Sequence, residues 1–266
     1  MTSACVTRVP RGHYRFWHVA SMEWIKLRTL RSTWWTMGIT VASAVAIGVA
    51  VGRGTKNASG DLTNNALAGL VPGLLLAGVL GVLVMTSEYS SGTIRLTLAA
   101  IPGRPLLLAA KAAVFGAVAL AAGEVAAFVS FFAGGATLPH GIPAPALGQP
   151  GVLRAVLLTG ASFCLIGLLG LGLGAIIRHS PAAISVLVGG VYVLAQVIGG
   201  VAHGVRAYMP ILIVGNSIST TKPLSCGGPV GQCLQPLPAW TGLGMLCLYA
   251  AVALAIGGWL LARRDA

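Results

Sequence analysis

The chain has 266 residues and a mean hydropathy of +0.87; 56% of its residues are hydrophobic and only 8% are charged. A water-soluble domain carries about 25% charged residues on a surface that water must solvate, so this composition excludes an ordinary soluble globule and points to lipid as the solvent. The formal charge of +12, from 17 basic and 5 acidic residues, is no argument for nucleic acid, because cytoplasmic membrane loops collect Lys and Arg and no basic helix or aromatic and basic sheet motif accompanies the charge.

Residues 1–33 contain no compact apolar core with a small-residue cleavage site, so they are expected to remain as a cytoplasmic N-terminus. Within them, Trp17, Ala20, Trp24 and Leu27 form a helical stripe, with Glu23, Lys26 and Arg28 on much of the remaining circumference. That pattern predicts an amphipathic helix lying in the inner interface with its tryptophans at headgroup depth. Apolar runs then predict six spans, at about 34–51, 66–85, 106–132, 152–177, 181–202 and 240–262. Only Arg178, His179 and Ser180 separate the fourth from the fifth, and Pro181 opens the next helix where its missing N–H does no harm.

With the N-terminus inside, twelve basic residues fall in the cytoplasm, among them Arg15, Lys26, Arg28, Arg95, Arg104, Lys111 and Arg178. Five fall outside, namely Arg53, Lys56, Arg154, Arg206 and Lys222. The asymmetry predicts a multi-pass protein with both termini in the cytoplasm. The irregular segment 203–238 is expected as an outer cap, re-entrant where protein covers its backbone. It contains YMPILI (Tyr208 to Ile213), too short to span, and Cys226 and Cys233, for which a disulfide is expected on the oxidising side of the membrane.

No Gly-Lys dipeptide occurs, so a phosphate-cradling loop is excluded, and LSCGG at Leu224 to Gly228 is a decoy without one. The five histidines show no metal-ligand spacing, and HExxH and CxxC are absent, so neither a metal site nor catalysis is expected. The glycines of GLLGLGLG lie in an apolar run, where Gly170 and Gly174 have the spacing of close helix packing. Glu124 is the one carboxylate inside a predicted span, about 20 Å beyond Lys111 along the helix. It must face protein or a water-filled cavity, either as a structural hydrogen-bonding group or in contact with a solute.

Between the second and third spans, TSEYSSGTIR (Thr86 to Arg95) breaks the apolar pattern on the cytoplasmic side. If helical, Glu88, Ser91, Gly92 and Arg95 share one face while Ile94, Leu98 and Ile101 line another. Such a helix beneath the membrane suits docking from the cytoplasm; the plainer reading is a solvated turn with an intrahelical ion pair. PGRP (Pro102 to Pro105) then ends it, and Lys111 marks the inner end of the third span.

In this order, EWIKLRTLRSTWW (Glu23 to Trp35) followed by SEYSSGTIRLTLAAIPGRPLLLAAK (Ser87 to Lys111) resembles the membrane subunits of ABC exporters of the second permease superfamily, with the type V exporter fold, especially those of actinobacterial type. The resemblance implies an all-α fold with an elbow helix around Arg15 to Leu30, including Trp17, Glu23, Trp24, Lys26 and Leu27. It implies a coupling helix around Tyr89 to Ala99, with Glu88 and Arg95 fixing the hairpin and Tyr89, Ser91, Gly92 and Thr93 as contact surface. It further implies a homodimer in the bacterial inner membrane with two copies of a separate ABC ATPase, which would hold the ATP and Mg that this chain does not bind. Spans two and five would face a central pathway for a hydrophobic or amphipathic solute, offering Leu70, Pro72, Leu75 and Val79, and Val188, Val191, Leu194 and Gln196. Antibiotic or drug efflux is the favoured role. The alternatives are an ion-coupled secondary transporter or channel, or a non-transporting anchor for a cytoplasmic partner.

Overall fold

The computed structural model describes residues 15–29, 31–55, 61–100, 103–193, 197, 207–220 and 237–263, leaving aside the side chains of residues 31–33, 95 and 100. The described residues are helical and contain no strand. In chain order the helices are α1 (Phe16–Thr29), α2 (Arg31–Gly54), α3 (Leu62–Leu67), α4 (Leu70–Ser90), α5 (Thr93–Ala100), α6 (Arg104–Ala136), α7 (Val152–Ile177), α8 (Ser180–Val188), α9 (Pro210–Ile218) and α10 (Ala239–Arg263). A π-helical turn, Gly189–Val193, continues α8.

Among the described residues, five segments are long and apolar enough to cross a membrane: Trp34–Gly54, Leu62–Ser90, Arg104–Ala136, Val152–Ile177 and Ala239–Arg263. At 1.5 Å per residue even the shortest, with 21 residues, reaches about 31 Å, the thickness of a hydrocarbon core. The second and third expected spans prove longer than their apolar runs, because polar ends such as Ser87 to Ser90 continue the helix. For the expected span 181–202, an unbroken helical stretch is described only over Ser180–Val193, and Leu194 and Gln196 lie outside the described residues, as do Cys226 and Cys233.

Contacts between helix ends fix the alternation of direction. The Arg104 guanidinium at the start of α6 donates to the Leu261 carbonyl near the end of α10 at 3.1 Å. Ser180 at the start of α8 donates to Thr86 Oγ1 near the end of α4 at 2.8 Å, and Arg178 after α7 donates to the Leu260 carbonyl at 3.4 Å. At the opposite end, Asp61 caps α3 by accepting from the Asn64 N–H at 3.0 Å and also accepts from the Thr220 N–H, just past α9, at 2.6 Å. Arg154 at the start of α7 donates to the Ser219 carbonyl there at 3.1 Å. With nine residues, α9 is about 13 Å long, too short to cross, and it buries Ile213, Val214, Ser217 and Ile218 among its neighbours.

Helix α7 sits at the centre, against α4, α6 and α10. Its approach to α4 is set by glycine: a Cβ at Gly81 would overlap the Gly167 carbonyl oxygen, and one at Gly170 would overlap that of Gly78. Gly174 reaches Val82 in the same seam, where a Cβ would stand 3.0 Å from the carbonyl oxygen. Backbone thus lies directly on backbone, which lipid cannot drive hydrophobically but dispersion can. Leu74, Ala77, Phe163 and Ile166 fill the core beside the seam.

Since a methyl group at Gly81 has only rigid backbone to displace, Gly81→Ala should cost about 1–3 kcal/mol. Thermal unfolding of the detergent-purified chain should show a lowered midpoint for this variant. Gly38→Ala, where a Cβ meets nothing within 4 Å, should leave it unchanged; equal midpoints for the two would refute the seam.

Candidate functional site

Where α1, the end of α4 and the start of α6 meet, two carboxylates and two ammonium groups are packed together. Lys111 on α6 donates to Glu23 Oε2 on α1 at 2.6 Å and to Glu88 Oε1 on α4 at 2.9 Å. Lys26, one turn after Glu23, donates to the same Glu88 Oε1 at 2.9 Å and to Glu23 Oε1 at 3.2 Å. Glu23, Glu88 and Lys111 are buried, whereas the Lys26 side chain is 36% exposed and opens the cluster to solvent. The four charges cancel. Each ammonium bridges two helices, so the group acts as a set of cross-braces and has no reacting atom of its own.

Sequence periodicity put Glu23 on the polar circumference of α1, and this is corrected. The buried residues of α1 are Val19, Ala20, Glu23 and Leu27, while Trp17 and Trp24 are exposed at 75% and 43%. The two tryptophans therefore face outward and the carboxylate faces in, because Lys111 waits inside the bundle and replaces the water that Glu23 would otherwise need. Lys111, read as a marker of the inner end of its span, is buried and paired.

The hairpin is also revised. Helix α4 runs through Tyr89 to Ser90 and stops at Gly92, whose φ of +70° is the left-handed conformation that ends helices cheaply only at glycine. Ser91 N–H still bonds the Ser87 carbonyl at 3.0 Å, and Gly92 N–H bonds that of Tyr89 at 3.2 Å. The short helix therefore starts at Thr93 and not at Tyr89, and Glu88, Ser91 and Gly92 do not form one continuous helical face with Arg95. Glu88 turns inward to the two lysines; the Arg95 side chain lies outside the described residues. Ile94 is buried and Leu98 half-buried against α1 and α6, together with Val19 and Leu107. Ser91, Gly92, Thr93 and Leu96 are exposed, Leu96 at 74%. The Ser91 and Thr93 hydroxyls lie 2.9 Å apart across the break.

Arg178 stands beside this end of the bundle. It is the one described non-glycine residue with positive φ, at 61°, a conformation that costs about 1–3 kcal/mol. Besides the Leu260 carbonyl, its guanidinium lies 5.2 Å from the centre of the Tyr89 ring, a cation–π contact that ties the end of α7 to the hairpin. Neither this contact nor the Arg104 bridge to α10 carries a signature in sequence spacing.

Glu124 lies midway along α6 at the α7 seam, half-buried, directly against Gly160. Of the residues expected to line a pathway, Leu70 and Val191 belong to the core and so cannot face an open cavity, while Pro72 is exposed and Leu75, Val79 and Val188 are half-buried. Cys164 and Cys247 are free thiols, and Cys164 donates to the Gly116 carbonyl at 3.3 Å.

Removing one member of the buried cluster leaves a carboxylate without its counter-charge, so Lys111→Met should destabilise the chain by about 3–5 kcal/mol. The double variant Glu23→Gln with Lys111→Met restores neutrality and should recover part of that loss; thermal midpoints that fall additively would refute a coupled cluster. Burial lowers the Lys26 pKa, but the hydrogen bond to Glu88 and the charge of Glu23 more than offset this, and the net shift is upward. A raised lysine pKa stabilises the fold fully below the ordinary value of about 10.4 and loses that stabilisation as pH rises through the folded value. The gap in thermal midpoint between wild type and Lys26→Gln should therefore hold steady from about pH 7 to 9 and narrow only above about pH 10.

Compared with models of known protein families and with curated proteins, the sequence matches none.

Proposed function

We propose that the chain is the permease subunit of an ATP-driven exporter, in which α1 serves as the elbow helix, α5 as the coupling helix, and Ser180 onward as the fifth of six spans. The observation that carries this reading is the braced hairpin: a short helix with one apolar face anchored on α1 and α6, an exposed edge at Ser91, Gly92, Thr93 and Leu96, and a buried ion cluster at its root. A force applied to α5 would pass through Glu88 to Lys111 and Lys26, and so reach α6 and α1 together. The described cations support a cytoplasmic placement of this end. Arg15, Lys26, Arg28, Arg104, Lys111, Arg178 and Arg263 gather there, against Arg53 and Arg154 at the other end.

On this reading a homodimer in the bacterial inner membrane binds two copies of a cytoplasmic ABC ATPase, which hold ATP and Mg. Closure of the ATPases drives alternating access for a hydrophobic or amphipathic solute, with drug efflux as the favoured role. Such a shift requires that contacts at the hairpin differ between the two states.

Co-expression with an ABC ATPase encoded beside this chain tests the proposal. The ATPase should co-purify, and its hydrolysis should rise when the permease is present. Arg95→Glu, by reversing a charge on the hairpin, should weaken co-purification or stimulation while membrane insertion stays intact; undiminished coupling in this variant would overturn the docking role. Transport that persists with a hydrolysis-dead ATPase would favour an ion-coupled transporter or channel instead.

A further inference from the structure

Helix α1 leaves an open groove where it crosses α6. The groove encloses about 470 Å³ and is lined chiefly by Trp17, Trp24 and Ile25 on α1 and by Ala113, Val114 and Ala117 on α6. Trp17 and Ile25 are exposed at 75% and 60%, and Ala113 and Ala117 are exposed as well, so both wall and floor are accessible. Ser21, the one hydroxyl among the lining residues, is turned back to donate to the Trp17 carbonyl at 2.7 Å. An occupant therefore meets an almost wholly apolar surface.

The position and the charge of the groove say what fills it. Its α6 residues lie beyond Lys111 toward the middle of that helix, so it opens on the bilayer side of α1. Arg28, one turn after Trp24, continues the stripe of Trp17, Ser21 and Trp24. It is exposed, and it forms no ion pair among the described residues. The indole N–H of Trp34, the first residue of a candidate span, donates to the Arg28 carbonyl at 3.3 Å and so holds this cation at headgroup depth.

A second copy of the chain would be a poor occupant. Among the described residues it brings no free carboxylate to this depth. Glu23 and Glu88 are bound to lysines, Asp61 holds Thr220 at the far end, and Glu124 lies about 30 Å along α6 from Arg104.

We infer that the groove binds an anionic phospholipid, with one acyl chain lying between α1 and α6 and the phosphate of the headgroup on Arg28. Burial of the chain supplies affinity, and the arginine supplies the preference for net negative charge. A zwitterionic lipid offers the same chain, but its own cation opposes Arg28. The site does not depend on ATPase docking, so it is tested on the purified chain alone.

The probe is phosphatidylglycerol with brominated acyl chains, whose bromines quench indole fluorescence on contact; phosphatidylcholine with the same chains is the control. Titrated into delipidated, detergent-purified protein, both should give saturable tryptophan quenching. Phosphatidylglycerol should bind about fivefold more tightly, the preference expected of one basic residue at an anionic surface. Arg28→Gln should abolish that preference, whereas Arg53→Gln, at the opposite end of the bundle, should leave it intact. Ala117→Phe, which fills the groove with every charge retained, should weaken binding of both lipids. Equal affinity for the two lipids, a preference kept by Arg28→Gln, or quenching indifferent to Ala117→Phe would each overturn the site. So would a disulfide-linked dimer in membranes that forms only with Ile25→Cys, since it would put a second copy in the groove.

Discussion

Three helices that lie far apart in the chain are held at one end of this bundle by a neutral set of four charges, three of them buried and the fourth, Lys26, reaching solvent. Burying Glu23, Glu88 and Lys111 is unfavourable for each alone, and the arrangement stands because every charge has an opposite within hydrogen-bonding reach. The constraint is mutual. Lys111 can be inside only if α1 brings Glu23 and α4 brings Glu88, so the positions of α1 and of the α4–α5 hairpin on α6 are set together. Much else at this end follows from it: α1 lies with its tryptophans outward, α4 must continue past the apolar run to deliver Glu88, and the break at Gly92 sends α5 back across the base of α6.

The two ends of the bundle are built from different materials. At the cluster end, side-chain charges and guanidinium groups cap helix ends: Arg104 and Arg178 both reach the last carbonyls of α10, satisfying acceptors that a helix terminus leaves open. At the far end, one aspartate serves two elements, capping α3 and holding the backbone after α9. Between them the described residues show little polar side-chain pairing, and the α4–α7 contact relies on small residues.

The long apolar helices were legible in the sequence because a span of about 20 residues leaves a signal that needs no partner to be read. Gly170 and Gly174 were legible as packing positions for the same reason, as small residues in an apolar run. The facing of α1 was not. An apolar moment weighs each residue against water or lipid, and Glu23 faces neither; its environment is Lys111, 88 residues away. The end of α4 was misplaced because a glycine with positive φ reads, in sequence, like any other glycine in a polar stretch. Glu88 and Arg95 share a face only if one helix runs through both; the break at Gly92 ends that helix, and Glu88 is held by Lys26 and Lys111 from other helices. Glu124 was legible as an anomaly, and only its neighbour Gly160 shows how the anomaly is accommodated.

The glycine seam between α4 and α7 bears on how such a bundle can move. Where side chains interdigitate, two helices can slide by changing rotamers; where carbonyl oxygens rest on glycine Cα atoms, no rotamer exists to change, and a displacement of one residue would bring Leu or Val against backbone. Helices α4 and α7 therefore form a single stiff beam running from one face of the bundle to the other. Any rearrangement of this protein has to take place around that beam.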